Sequence, residues 1–218
     1  AAVSVSGSIP AFVQLMNSRA QELGLYDTHF VTPSGLDADG HYTTARDLAK
    51  LTAFAMRDEL FRSVVSCSSA DVEFGNPPYK RTLYNSNKML RRYDGAIGVK
   101  TGFTDNARRC LVSAAERDGV TLIAVTLNAG DDWNDHTKML DYGFASVKSC
   151  PLDVGCGFRV AVAGTGQSVG VYAHNASMAL LDGQRGKLTR RVLLPPFVYG
   201  TVEKGDRLGE LEFLLDGE

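Results

Sequence analysis

An α+β fold is predicted: an antiparallel sheet flanked by helices, followed by a small all-β sandwich-like domain. Three observations carry it. Apolar residues recur at helical spacing near the N-terminus and again after residue 131. Between them lie β-rich runs joined by Asp118-Gly119, a strong short hairpin signal. Beyond about residue 150 the chain changes to short β-like runs separated by glycines.

Ser8 reads as an N-cap with Pro10 in the first turn. Phe12, Leu15, Met16, Ala20 and Leu23 then repeat at helical spacing, and Gly24 ends the helix. Residues 25–42 hold Thr, Pro, Ser, Gly and Asp and read as a structured loop. Thr44 with Asp47 resembles a capping box, and Leu48, Leu51 and Ala55 continue that helix's apolar face. Residues 59–65 form a further short helical turn. Ser69 to Phe74 reads as a strand, and Gly75-Asn-Pro-Pro78 as a turn. The segment Gly95-Ala-Ile-Gly-Val99 runs into Lys100-Thr101-Gly102, which places that triplet on or beside a strand next to the Asp-Gly hairpin. That hairpin pairs Arg109 to Glu116 with Val120 to Leu127. Asp132 to Val147 reads as a helix with Met139, Leu140 and Phe144 on one face. Later strands are expected at Phe158 to Ala163, Ser168 to Ala173, Val192 to Leu194, Val198 to Val202 and Leu211 to Leu215. The predicted domains are therefore residues 1–150 and 151–218.

Composition excludes several classes. The 218 residues are 44% hydrophobic and 22% charged, ordinary for a globular protein, with room for one large or two small domains. A net charge of −2 argues against a nucleic-acid partner. No apolar run approaches the length of a membrane span, and Val120 to Leu127 is better read as a buried strand. Cys67, Cys110, Cys150 and Cys156 form no metal pattern. A Cys150–Cys156 disulfide is sterically open, but four buried or partly buried thiols are the simpler expectation. His29, His41, His136 and His174 are scattered, with no pair at ligand spacing, and read as structural or exposed. Asp131 and Asp132 read as helix-dipole caps, and Lys88, Arg91 and Arg92 as a solvated patch.

Several segments carry a family resemblance. They are Leu15-Met-Asn17, Glu22-Leu-Gly-Leu25, Thr28-His-Phe30 and Ser34-Gly-Leu-Asp37, then Tyr42-Thr-Thr-Ala-Arg-Asp-Leu-Ala49. Tyr84-Asn-Ser-Asn87, Gly98-Val-Lys-Thr-Gly-Phe-Thr104 and Met139-Leu-Asp-Tyr-Gly-Phe144 complete the set. With these, Asn17 to Phe144 resembles the D-alanyl-D-alanine carboxypeptidases, the low-molecular-mass penicillin-binding proteins. Residues 151–218 resemble the small β-rich domain of the same family. The resemblance implies a β-lactamase/transpeptidase-like domain at residues 1–150 and an extracytoplasmic enzyme that cleaves peptidoglycan pentapeptide ends, with β-lactams as inhibitors. It implies no metal or organic cofactor.

By the same resemblance Lys100, Thr101, Gly102 and Thr104 bind substrate, and Lys100 and the Phe103 backbone N–H serve catalysis, the latter in the oxyanion hole. Chemistry fits these assignments: a substrate ending in a carboxylate needs a cation and a hydroxyl donor, and Gly102 lets a peptide backbone approach. The family attacks with serine in Ser-x-x-Lys and uses a second Ser-x-Asn motif, and neither occurs in these 218 residues. Ala1 to Ser8 resembles the family's segment just downstream of Ser-x-Asn, so the chain is expected to begin past that motif and to be inactive alone. Membrane association is expected to reside in a C-terminal segment beyond this sequence. Many relatives carry a carboxylate-gripping arginine near residues 131–133. None is placed there, and of Arg108 and Arg109 alternation points only one toward the site. Two other readings compete: a β-lactamase, against which the β-rich tail argues, and a non-catalytic binding or structural module.

Overall fold

The computed structural model describes residues 1–217. Cα packing separates the chain into two compact units, Ala1–Arg117 with Thr121–Phe144, and Asp118–Val120 with Ala145 onward. Each is described by itself.

The first unit begins with a short helix α1 (Ala2–Ser6), which the sequence patterning does not signal, and α2 (Ile9–Glu22). Ser8 caps α2 as expected, its Oγ accepting from the Ala11 N–H at 3.2 Å. Of the predicted apolar face only Ala20 is fully buried, and Leu15 stays 52% exposed. Asn17 on α2 does more than its sequence position signals. Its side chain donates to the Phe30 carbonyl and accepts from the Phe30 N–H, both at 2.8 Å, which clamps the adjoining loop.

That loop, residues 25–43, has little regular structure beyond a bridge between His29 and Tyr42. Polar side chains hold it. Asp47, only 3% exposed, accepts from the Asp27 N–H at 2.9 Å and the Thr28 hydroxyl at 2.8 Å. His41 Nδ1 accepts from the Val31 N–H at 3.1 Å. Helix α3 (Ala45–Ala55) starts at Thr44, whose Oγ1 accepts from the Asp47 N–H at 3.2 Å. The capping box is one-sided, because the Asp47 carboxylate is committed to the loop instead of the Thr44 N–H. Helix α4 (Glu59–Ser66) is capped by Asp58. Strands β1 (Ser69–Phe74) and β2 (Tyr79–Tyr84) form an exposed antiparallel hairpin across the Gly75–Pro78 turn. A single turn, α5 (Met89–Arg92), seats the buried Met89.

Strands β3 (Ala96–Thr104), β4 (Arg108–Arg117) and β5 (Val120–Thr126) form a three-stranded sheet in that order. Asp118 and Gly119 both take positive φ, 50° and 74°, as a two-residue hairpin requires. Gly95 sets the entry to β3: its φ is +78°, its carbonyl accepts from the Glu116 N–H at 2.8 Å, and a Cβ would lie 2.5 Å from the Glu116 carbonyl oxygen. Helix α6 (Asp132–Ser146) packs Leu140 and half-buried Phe144 into a cluster with Met89, Tyr93, Leu111, Ala115 and Ala124. Met139, expected on that face, is 40% exposed. On the other face of the sheet Val99, Val112 and Ala114 pack with Met56, Phe61 and Val65.

The second unit is β-rich, as the composition predicts, with three small sheets. Strand β6 (Val147–Pro151) pairs antiparallel with β9 (Ser177–Leu181), neither of which the sequence patterning picks out. Strand β7 (Phe158–Val162) pairs antiparallel with β8 (Ser168–Val171) and parallel with β11 (Phe197–Val198). Strand β10 (Leu188–Leu193) pairs with β12 (Glu210–Leu215), longer than the Val192 to Leu194 run expected. All four cysteines are free thiols. Cys110 and Cys150 are partly buried, as expected, whereas Cys67 and Cys156 are exposed, against the expectation that all four would be at least partly buried. Among the described residues no helix is long and apolar enough to cross a membrane, and no cluster of His, Cys, Asp or Glu could hold a metal ion.

Candidate functional site

A cleft of about 1150 Å³ lies in the first unit. One wall is the loop from Ser34 to Thr43. The other is the C-terminal half of β3 with the start of β4, and Asp132 and Trp133 of α6 border it. All five residues singled out in the sequence, Lys100, Thr101, Gly102, Phe103 and Thr104, line this cleft. Strand β3 pairs only with β4 among the described residues, so its outer edge offers free backbone groups to the cleft.

The side chains divide between two faces of the strand. Register pairs Lys100 with Val112 and Gly102 with Cys110 on one face, and Thr101 with Leu111 and Phe103 with Arg109 on the other. The packing agrees, because Val112 belongs to the cluster with Met56 and Leu111 to the cluster under α6. Lys100 is exposed and its Nζ donates to the Thr101 carbonyl. The Thr101 hydroxyl lies 3.0 Å from the Ser86 hydroxyl. Gly102 has an ordinary φ, and a Cβ there would meet Cys110 Cβ at 3.6 Å. It is therefore not required by backbone conformation or packing, and what it contributes is a bare strand edge. Phe103 is 64% exposed. The Thr104 Oγ1 accepts from the Ala107 N–H at 3.0 Å and shapes the turn into β4, while its own hydroxyl proton stays available. Across the cleft mouth the Asn106 N–H donates to Asp37 Oδ2 at 3.3 Å.

Four cleft groups were not marked by sequence alone. Ser86 lies within the Tyr84-Asn-Ser-Asn87 segment of the resemblance but had no role of its own there, and folding brings its hydroxyl to Thr101. Arg109 was one of two arginines left open, and the register now separates them: Arg109 lines the cleft, whereas Arg108 sits at the head of the strand with φ 56° and is not among the lining residues. Asp132, read as a dipole cap, does accept from the Trp133 N–H at 2.9 Å, but its buried carboxylate also takes Arg109 through Nε at 3.2 Å and Nη2 at 2.6 Å. Trp133 lies beside that pair, 5.6 Å from its ring centroid to the guanidinium carbon. Of the four histidines, His41 borders the cleft with its Nδ1 committed to the backbone, and His136 is fully buried behind the sheet. Burial pushes His136 down to about 4, against the opposing pull of Asp132 and Asp135.

The model of the D-alanyl-D-alanine carboxypeptidase family matches residues 1–131. The chain is 29% identical to D-alanyl-D-alanine carboxypeptidase DacF of Bacillus subtilis, over 98% of this chain and 57% of that protein. It is 38% identical to a D-alanyl-D-alanine carboxypeptidase of Streptomyces sp. strain K15, over 63% of this chain and 50% of that one. The solved structure of penicillin-binding protein 5 from Haemophilus influenzae superposes with a TM-score of 0.66 at 28% identity, covering 100% of this chain and 64% of that chain. The chain thus spans about half the length of these two sequence relatives. With the matched model covering well over half of its residues, the chain belongs to the D-alanyl-D-alanine carboxypeptidase family.

Proposed function

We propose that the full-length protein is a serine-type D-Ala-D-Ala carboxypeptidase of the cell envelope. It removes the terminal D-alanine from peptidoglycan stem peptides through an acyl-enzyme, and β-lactams inhibit it by occupying the same site. The observation that carries this reading is Lys100-Thr101-Gly102 on the open edge of β3, lining a cleft of about 1150 Å³. An extended peptide adds to that edge as a further strand, with Gly102 leaving room for its backbone. Phe103 contributes its N–H to the oxyanion hole. Lys100 supplies positive charge beside the reacting bond, and Thr101 and Thr104 supply hydroxyl donors to the substrate. Residues 1–150 are assigned to this catalytic domain and 151–218 to an accessory β-rich domain.

Neither Ser-x-x-Lys nor Ser-x-Asn occurs in these 218 residues, so the chain by itself should not turn over substrate. The test is the intact mass of the full-length protein before and after penicillin. A stable one-to-one adduct on a serine supports the reading, and Lys100→Ala should then slow acylation roughly 10²–10³-fold. An unchanged mass in folded protein would leave a non-catalytic module in its place.

A further inference from the structure

The second unit holds a cavity of its own, of about 410 Å³, lined entirely by residues of that unit. That is the size of a small-molecule site. Leu152, Leu188 and Phe213, all partly buried, give it apolar walls, and two arginines, Arg185 and Arg190, border it.

Strand register explains why these groups share one side. Strand β10 pairs with β12 so that Arg190 stands opposite Phe213, and Leu188, two residues earlier, lies on the same face. Arg191 points to the other face, where its Nε donates to Glu212 at 2.7 Å across the strands. Lys187 is likewise engaged, 3.2 Å from Asp216. The neighbouring cations thus carry their own carboxylates, whereas Arg185 has no ion pair among the described residues. Asp153 lies 3.5 Å from Arg190, but its side chain is 90% exposed, so water screens it and it offsets little of that charge.

Both arginines are set in place before a ligand arrives. Arg190 Nη1 donates to the Asp153 carbonyl at 2.9 Å, which takes one of its five N–H groups. The guanidinium rests over Gly155, where a Cβ would lie 2.6 Å from Nη1 and where φ is +68°. The Gly155 N–H donates to Asp153 Oδ1 at 3.0 Å and fixes the loop beneath. Arg185 sits on a short 3₁₀ turn (Gln184–Lys187), closed by Gln184 Oε1, which accepts from the Leu181 N–H at 2.8 Å. Two guanidiniums against one solvated carboxylate leave a single positive charge in excess beside an apolar wall. A planar monoanion with an apolar body matches that arrangement better than a phosphate dianion does.

We propose that this cavity binds a small organic acid, its carboxylate held by Arg185 and Arg190 and its apolar body seated on Leu188 and Phe213. The site is independent of the Lys100 cleft and of the carboxypeptidase reading.

The experiment titrates the 218-residue chain with N-acetylphenylalanine, its primary amide and inorganic phosphate, following backbone amide resonances by NMR. The acid should give saturable shifts at Asp153 to Gly155, Gln184 to Arg190 and Phe213, with the amide and phosphate binding at least about tenfold more weakly. Arg190→Gln and Arg185→Gln should each weaken the acid about tenfold or more. Arg185→Gln alters an exposed turn residue with no ion pair, so its effect is read in a folded protein. Arg191→Gln, on the opposite face, should leave binding within about twofold. Absence of saturable shifts at these residues overturns the inference, as do equal binding of acid and amide, tighter binding of phosphate, or an Arg191→Gln loss as large as that of Arg190→Gln.

Discussion

Acidification should loosen α6 from the sheet through a single buried imidazole. His136 is completely buried, with Nδ1 2.8 Å from the Ser113 hydroxyl on β4 and Nε2 2.9 Å from the Thr126 hydroxyl on β5. A neutral ring satisfies both, donating from one nitrogen and accepting at the other. Burial holds its pKa near 4, from an ordinary value of 6.5, despite the nearby Asp132 and Asp135 carboxylates. The folded value lies below the unfolded one, so the unfolded chain takes up the proton first as pH falls. Stability is therefore intact above about 6.5 and is lost between about 6.5 and 4. The full difference of 2.5 units corresponds to ~3 kcal/mol, of which ~2 kcal/mol is gone by pH 5. Trp133, the sole tryptophan, lies one turn before His136 on α6 and reports the event by fluorescence during urea titration at pH 7 and pH 5. His136→Gln, which cannot titrate, should lose far less stability over that interval. An NMR midpoint for the His136 ring near 6.5 in the folded protein would refute the reasoning, as would an identical pH dependence in wild type and variant.

Three further substitutions test the packing that positions the cleft. Gly95→Ala places a Cβ 2.5 Å from the Glu116 carbonyl at a φ of +78°, and should cost ~2–3 kcal/mol, read as a lower urea midpoint. Leu140→Ala opens a cavity under β4 in the cluster with Leu111 and Ala115 and should cost ~3 kcal/mol by the same measure. Thr44→Ala removes the α3 cap at the foot of the cleft loop and should cost ~1 kcal/mol, with earlier hydrogen exchange at the Asp47 amide.

Local chemistry was enough to read much of this chain. The Ser8 and Thr44 caps, the Asp118-Gly119 turn, the strand carrying Lys100 and the helix from Asp132 all depend on interactions within a few residues, so their signals are printed in adjacent positions. Lys100 to Thr104 were singled out by their likeness to the family's Lys-Thr-Gly stretch, and they come to line one cleft together because they form one continuous stretch of strand. What sequence could not decide depends on partners far along the chain. The Asp47 carboxylate serves a loop some twenty residues away rather than its own cap. Strands β6 and β9 are short and find each other only across the second unit, so neither stands out by pattern. The choice between Arg108 and Arg109 shows the division most directly. Alternation alone said that one of them faces the site. The pairing of Phe103 with Arg109, and the buried Asp132 that arrives 23 residues later, selected which. Strand register and charge pairing are long-range properties, and only the tertiary structure supplies them.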